Sequence, residues 1–300
     1  MGVCRGALRV PIISRIFMST KIIPHAVQPS LKPLPNVKNI IAVGSGKGGV
    51  GKSTVAVNLA LALAKDARVG ILDADIYGPS LPMMLGLTEK PESPDGKTIS
   101  PIEKYGLQCM SIGLLLVDNA PAIWRGPIVT KALQQMLFDT NWDDLDYLII
   151  DLPPGTGDIQ LTLAQKIPVA GAIIVTTPQD LALIDAKKAL NMFNKVHVPV
   201  LGVVENMSTY ICTQCGHEED IFGHDGAVNM AENYNVPLLG QLPLEKNIRE
   251  ETDSGCPTVI AAPESSRAQC YFQLAKQVVA KLALRPKDYS AKFGTIVVQN

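Results

Sequence analysis

Residues 46–53 read Gly46-Lys47-Gly48-Gly49-Val50-Gly51-Lys52-Ser53, and they separate a short apolar run from an Ala- and Leu-rich run. The apolar run, 39–43, predicts a strand, and the run over 54–65 predicts a helix. Glycines let the backbone curl so that successive amides point inward, and the helix adds its own free N–H groups. A strand, a glycine loop and a helix in this order predict a phosphate-binding loop.

Two lysines and a serine give this loop its predicted chemistry. Lys52 is expected to place its charge on the outer phosphates of ATP, and Ser53 to offer its hydroxyl to Mg²⁺. Lys47 is not required by the basic pattern. It is either a solvated loop residue or a second cation for the β- and γ-phosphates, which could reach the ATP of a second subunit. The residues expected to bind nucleotide are Gly46, Lys47, Gly48, Gly49, Val50, Gly51, Lys52, Ser53 and Thr54.

The alternation of strand and helix recurs along the chain. Apolar runs predict strands over 68–73, 147–151, 171–176 and 200–204, and helical patterns fill 128–138, 159–166 and 181–196. Strands that are apolar on both faces and separated by helices indicate an α/β fold, with a doubly wound, mostly parallel sheet covered on both sides. Ligands in such folds bind at the carboxyl ends of the strands, which is where the polar motifs of this chain occur.

Two carboxylate motifs each follow a predicted strand. Asp73 and Asp75 open the segment 73–80, and Asp151 opens 151–158, which reads Asp-Leu-Pro-Pro-Gly-Thr-Gly-Asp. Mg²⁺ takes one or two carboxylates and keeps several waters. Asp151 is therefore the predicted Mg²⁺-associated carboxylate, with Asp73 near the metal or capping the following turn. Asp75 is the candidate that positions the attacking water, so the predicted catalytic set is Lys47, Lys52, Asp75 and Asp151.

Composition limits the class of protein. The chain has 300 residues, 47% hydrophobic and 18% charged, with a net charge of −1. This near-zero charge gives no reason to expect a nucleic-acid partner. No apolar run reaches the roughly 18 to 20 residues that span a bilayer, so no membrane partner is expected. One P-loop ATPase domain is predicted over 37–285, with an excursion at 207–226 and a C-terminal tail at 286–300.

The first 36 residues differ in composition from the rest of the chain. They are basic, rich in proline towards their end and free of acidic residues, and they predict an arm that is disordered. A basic, acid-free start resembles a mitochondrial transit peptide. The chain is expected in the cytoplasm if this segment is a short leader, and in the mitochondrial matrix if it is a transit peptide.

Cysteines give a second candidate site. Of the six in the chain, only Cys212 and Cys215 are closely spaced, and the other four read as small apolar residues. Structural zinc sites and iron–sulfur clusters need about four ligands. The missing two could come from His217 and another residue, or from the same turn of a second subunit. A bridging cluster, a zinc ion, a redox dithiol and a metal-free turn are the four alternatives.

The motifs together resemble those of known ATPases. The double-lysine loop is similar to that of the deviant Walker A group, to which MinD and the nitrogenase iron protein belong. When residues 73–80, 124–127, 151–158 and 205–208 and the C-x-x-C turn are added, the chain resembles the Mrp/ApbC family of iron–sulfur cluster carrier ATPases. The resemblance implies a homodimer, slow ATP hydrolysis and a [4Fe-4S] cluster that is held by Cys212 and Cys215 of both subunits and passed to apoproteins.

The resemblance also implies that Asn206 hydrogen-bonds the adenine. It extends from about Val37 to Leu284. Two other functions remain open at this point: a partner-binding switch similar to MinD, and a P-loop ATPase stabilised by zinc.

Overall fold

The structure, a computed structural model, describes residues 22–115, 126–212 and 214–288. Within these ranges it contains nine strands: β1 (Val37–Gly44), β2 (Val69–Asp73), β3 (Ile102–Lys104), β4 (Leu107–Ser111), β5 (Leu145–Asp151), β6 (Gly171–Thr176), β7 (Val200–Ile211), β8 (Glu218–Glu219) and β9 (Leu238–Leu244). They form one sheet in the order β3-β4-β2-β5-β1-β6-β7-β8, and β9 also pairs with β7. Only β3 and β8 pair antiparallel, so the predicted mostly parallel sheet is confirmed.

Ten helices accompany the sheet in the described ranges. They are α1 (Lys52–Leu63), α2 (Leu81–Leu85), α3 (Ile112–Leu115), α4 (Gly126–Phe138), α5 (Asp158–Lys166), α6 (Asp180–Lys195), α7 (Gly226–Asn233), α8 (Lys246–Asp253), α9 (Thr258–Ala261) and α10 (Ser266–Ala283). The helices predicted over 54–65, 128–138, 159–166 and 181–196 correspond to α1, α4, α5 and α6, each within two residues at either end.

The core lies on both faces of the sheet. Neighbouring residues of β1 point to opposite sides: Ile41 packs into one apolar cluster with α1 and α10, and Ile40 packs into the other with α4, α5 and α6. Both side chains are at most 2% exposed. Burial on both faces explains why the central strands read as unbroken apolar runs rather than as alternating ones.

Strand β7 differs from its predicted span. The sequence ends this strand at Val204, because polar residues follow, but it continues to Ile211 and then turns back through β8. The backbone of β7 bulges between Asn206 and Tyr210, where its register with β9 shifts. Polar residues remain in the strand because β8 and β9 pair with its backbone past the end of the apolar core.

The segment 22–36 packs on the domain. The prediction of a disordered arm is therefore wrong for these residues. His25 and Gln28 are buried, as is Leu34. The amide of Ala26 donates to Pro286 O at 2.9 Å, and the amide of Asp288 donates to Pro24 O at 2.9 Å. Short strand-like contacts therefore join this segment to the chain after α10. Residues 1–21 lie outside the described ranges.

Candidate nucleotide site and cysteine hairpin

The glycine loop follows β1 and opens α1, as the sequence predicts. Gly49 and Gly51 have φ of +80° and +79°, a region that L side chains rarely adopt. Gly46 is required for a different reason: a Cβ there would lie 2.1 Å from the carbonyl carbon of Asp185 in α6. The loop is therefore pressed against the first half of α6, and its curl depends on glycine at these positions.

Lys52 and Asp151 form a buried ion pair. The Lys52 Nζ lies 2.6 Å from Asp151 Oδ1, and the two side chains are 6% and 4% exposed. The same Nζ lies 3.3 Å from Ser53 Oγ. The lysine of α1 and the acid at the end of β5 thus meet at the carboxyl edge of the sheet.

Asp73 stands beside Asp151 because β2 and β5 are parallel neighbours with these residues in register. Its Oδ2 accepts hydrogen bonds from the amides of Ser80 and Leu81, at 3.0 and 3.1 Å, and from Ser111 Oγ at 3.1 Å. Burial, and then repulsion by Asp151, raise the pKa of Asp73 to about 6. Asp73 therefore caps the start of α2 and also faces the buried ion pair.

Asp75 lies at the rim of the same group and is half-buried. Burial raises the pKa of its carboxyl, while Lys52 lowers it and Asp151 raises it. The structure thus brings Lys52, Asp73, Asp75 and Asp151 together. Sequence reasoning missed Ser111, which ends β4, because that strand was not recognised.

The donor set at this edge fits a magnesium ion. Ser53 hydroxyl and the carboxylates of Asp151 and Asp73 are hard oxygen ligands. Repulsion between the two neighbouring acids, visible in the raised pKa of Asp73, would be offset by a divalent cation.

The segment after β5 is tied to the glycine loop. The amide of Gly155 donates to Ser45 O at 3.0 Å, and Gly155 has φ of +96°. Residues 152–157, here called the switch segment, therefore contact the phosphate loop directly. The switch segment leads directly into α5, which begins at Asp158.

Asn206 contacts the glycine loop from β7. Its Nδ2 donates to Val50 O at 2.9 Å, and the side chain is 6% exposed. The resemblance assigns this amide to the adenine. In the structure it bonds the loop itself, and its role towards a base stays a prediction.

The paired cysteines lie at the tip of the hairpin formed by β7 and β8. The amide of Cys212 donates to His217 O, and the amide of Gly216 donates to Cys212 O, both at 2.9 Å. Cys212 is half-buried and Cys215 is exposed. The backbone N–H groups of Gln214 and Cys215, followed by the Cys215 thiol, lower the pKa of Cys212. The turn therefore favours a thiolate, the form that binds metals.

No third ligand joins this turn within the described ranges. Among residues 22–115, 126–212 and 214–288, no three His, Cys, Asp or Glu side chains are grouped so that they could hold a metal ion. His217, one of the ligands considered from the sequence, is therefore not placed with the two cysteines. Cys109 is buried in β4, where desolvation raises its pKa to about 12. Cys4 and the motif residues Trp124 and Arg125 lie outside the described ranges.

Among the described helices, none is both long enough and apolar enough to cross a membrane.

The sheet order, the glycine loop and the acids beside it define a P-loop NTPase. Residues 36–279 match the ParA family, described as NUBPL iron-transfer P-loop NTPase, and the chain belongs to this family. This confirms the predicted kinship with the Mrp/ApbC carriers.

Curated relatives from both bacteria and eukaryotes have names that agree with this family. The chain is 63% identical over 248 residues to the iron-sulfur cluster carrier protein of Escherichia coli, covering 82% of this chain and 67% of that protein. It is 49% identical over 262 residues to the mouse iron-sulfur cluster transfer protein NUBPL, covering 86% and 82%.

A solved structure supports the fold. The nucleotide-binding protein of Archaeoglobus fulgidus in complex with ADP shares 37% identity and a TM-score of 0.68, covering 79% of this chain and 91% of that one.

Proposed function

We propose that this chain is an iron–sulfur cluster carrier that binds and hydrolyses ATP and transfers a [4Fe-4S] cluster to apoproteins. One observation carries the proposal: β7 contacts the phosphate loop through Asn206 and leads directly into the turn that holds Cys212 and Cys215. Six residue steps separate 206 from 212, which is less than about 20 Å at about 3.3 Å per residue because β7 bulges after Asn206. The nucleotide site and the cysteine pair thus lie along the same bulged strand and the turn that follows it.

ATP binds with its phosphates in the glycine loop, held by the curled amides and by Lys52. Nucleotide draws Lys52 away from Asp151, because the phosphates compete for the ammonium. Ser53 and Asp151, with Asp73 nearby, would hold Mg²⁺, which supplies charge neutralisation at the phosphates. Asp75 orients the attacking water, and Lys47 adds a cation from a second subunit. Turnover is slow, since the site mainly positions groups and offsets charge.

The cluster is cargo and sits between two copies of the chain. Each copy contributes the thiolates of Cys212 and Cys215, which makes the four ligands that a [4Fe-4S] cluster requires. The support is the position of the pair at a hairpin tip, where Cys215 is exposed and Cys212 half-buried, and the lack of a third ligand among the described residues. Transfer exchanges the four carrier thiolates for thiolates of the client, and the oxidation state of the cluster does not change.

The test is anaerobic reconstitution with ferrous iron and sulfide, followed by mixing with the apo form of an enzyme whose activity depends on a [4Fe-4S] cluster. We expect a brown carrier, with about four irons per dimer, that restores the activity of the acceptor. One zinc per chain with no iron or sulfide in anaerobically purified protein would favour the zinc-stabilised ATPase instead. Strong ATP-dependent sedimentation with liposomes would favour the switch similar to MinD.

We place the carrier in the cytoplasm, with the mitochondrial matrix as the alternative. The bacterial relatives at the higher identity support this choice. Fusing residues 1–36 to a fluorescent reporter in eukaryotic cells tests it. A diffuse cytoplasmic signal is expected, whereas import of the reporter into mitochondria would overturn the assignment.

A further inference from the structure

Helix α5 is short, and Ile159 and Leu161 contribute only partly buried contacts to its packing. It is nine residues long, and only Leu163 and Ala164 along it are fully buried. Isolated helices of this length are marginal in water. Its N-cap, Gly157, makes no side-chain capping bond. The position of α5 therefore depends strongly on contacts at its two ends.

The C-terminal end of α5 is held by a side chain from the N-terminal segment. Gln28 Nε2 donates to Ala164 O at 2.9 Å and to Ile167 O at 3.1 Å, and the amide of Val169 donates to Gln28 Oε1 at 3.1 Å. The last carbonyls of a helix have no partner within it, and Gln28 satisfies one in α5 and one just after it. The glutamine is 5% exposed, so water does not replace it.

The N-terminal end of α5 is held to the switch segment by a second glutamine. Gln160 Nε2 donates to Pro154 O at 2.5 Å, one residue before the amide of Gly155 that bonds Ser45 O. The nine residues of α5 extend about 13 Å, at 1.5 Å per residue. A continuous set of hydrogen bonds and one short helix therefore joins Gln28 to the phosphate loop.

We infer that Gln28 is a positioning residue for the nucleotide reaction: by fixing the far end of α5, it sets the position of the switch segment against the phosphate loop. The inference rests on the proposed ATP hydrolysis. It also gives residues 22–36 a role in the site, although they lie near the amino ends of the strands and the phosphate loop lies at the carboxyl ends.

The variant Gln28→Met keeps the length of the side chain and removes all three hydrogen bonds. We expect kcat for ATP to fall about tenfold, since small displacements of positioning groups are costly, with KM within about twofold. Hydrogen exchange with a bound non-hydrolysable ATP analogue should become about tenfold faster in α5 and the switch segment, but not in α1. Unchanged kcat, with faster exchange limited to residues 22–36 and 164–169, would overturn the inference.

His25→Leu is the matched control, because His25 lies in the same segment but bonds Asn39 of β1 through Nδ1 at 2.9 Å. Its kcat should stay within about twofold of wild type. An equal loss in both variants would assign the effect to the segment as a whole and contradict a specific role for Gln28.

Gln160→Met tests the other end of α5 and serves if Gln28→Met does not fold. It should reproduce the faster exchange of the switch segment, and normal exchange there would count against the inference. If the wild-type chain shows no nucleotide-dependent protection at the phosphate loop, the proposed function fails, independently of Gln28.

Discussion

Two regions contact different parts of β7. The nucleotide edge is formed by Lys52, Asp73 and Asp151, and the cysteine tip by Cys212 and Cys215. The two regions are built in opposite ways. At the nucleotide edge, charged groups are buried and satisfy each other within one chain: Lys52 pairs with Asp151, and Asp73 accepts four hydrogen bonds. At the tip, the Cys212 thiol is supported by local groups alone: nearby backbone amides and the side chains of Cys215 and Tyr210. The nucleotide edge is thus largely preformed, whereas the cysteine tip has no third metal ligand within the part of the chain that the structure describes. The following substitutions affect one region at a time.

Cys215→Ala removes one of the two thiols of the cysteine tip, and we expect it to give the largest effect. One thiolate from each subunit is lost, so iron after anaerobic reconstitution should fall from about four per dimer to near zero. ATP affinity, measured by titration calorimetry, should stay within about twofold because the nucleotide edge is untouched. Cys270→Ala, on α10, is the control and should keep its full iron. A complete cluster in the Cys215 variant would show that the ligands were assigned wrongly.

Lys52→Met breaks the nucleotide edge and leaves the tip intact. The free energy of unfolding in urea should fall by about 3 kcal/mol, because Asp151 is left buried without its cation. ATP hydrolysis should fall at least about a hundredfold, and iron content should not change. Lys38→Met removes a pair of the same 2.6 Å length, but at 29% and 14% exposure. That control should lose less than about 1 kcal/mol, and an equal loss in both variants would contradict burial as the cause.

The raised pKa of Asp73 makes the free energy of unfolding depend on pH, and this contribution comes from the nucleotide edge. Its pKa in the folded chain is about 6, against an ordinary 3.8, so the folded state binds more protons than the unfolded state between these values. Its contribution to stability is present below about pH 4 and is lost as the pH rises through 6. The free energy of unfolding of wild type minus that of Asp73→Asn should therefore fall by about 2 kcal/mol from pH 4 to 7.

The control for this pH dependence is Asp220→Asn. Hydrogen bonds from Thr209 and His224 lower the pKa of Asp220, so the corresponding difference should rise with pH. A difference for Asp73 that stays flat or rises would disprove the buried-acid interpretation.

Asn206→Ala should give the smallest effect and addresses the strand that joins the two regions. Losing one buried hydrogen bond to the phosphate loop, and the proposed bond to adenine, should weaken ATP binding about tenfold. It should also reduce the preference for ATP over GTP, measured by competition. Iron content should remain that of wild type, and a large loss of iron would mean that β7 couples the two sites more tightly than proposed.

The sequence predicts the parts of the fold that short contiguous segments encode. The phosphate loop, the central strands and helices α1, α4, α5 and α6 follow from local periodicity and glycine placement. β4 is not predicted because its short run, Leu-Gln-Cys-Met-Ser, includes polar residues whose partners are distant in sequence: Gln108 bonds the backbone of Asp143, and Ser111 bonds Asp73. Ser111 could have been found from its place at the carboxyl end of β4, once that strand was recognised.

Contacts between distant segments are the other part that sequence reasoning could not supply. Gln28 reaches residues 136 or more positions away, and nothing in its own surroundings indicates burial. The proline-rich composition of residues 24–35 correctly excludes helix, but it does not predict that an extended segment will pack. The cysteine pair is recognisable in the sequence as a motif. Its position at a hairpin tip is not, because the sequence does not predict that β7 extends to Ile211.

The most direct measurement is sedimentation velocity of the anaerobically reconstituted protein, with iron and sulfide determined on the same fractions. We expect iron and sulfide, about four of each per two chains, to sediment with a dimer, and chains without iron to lack this bridge. A full cluster that sediments with a single chain would contradict a site shared between two cysteine tips.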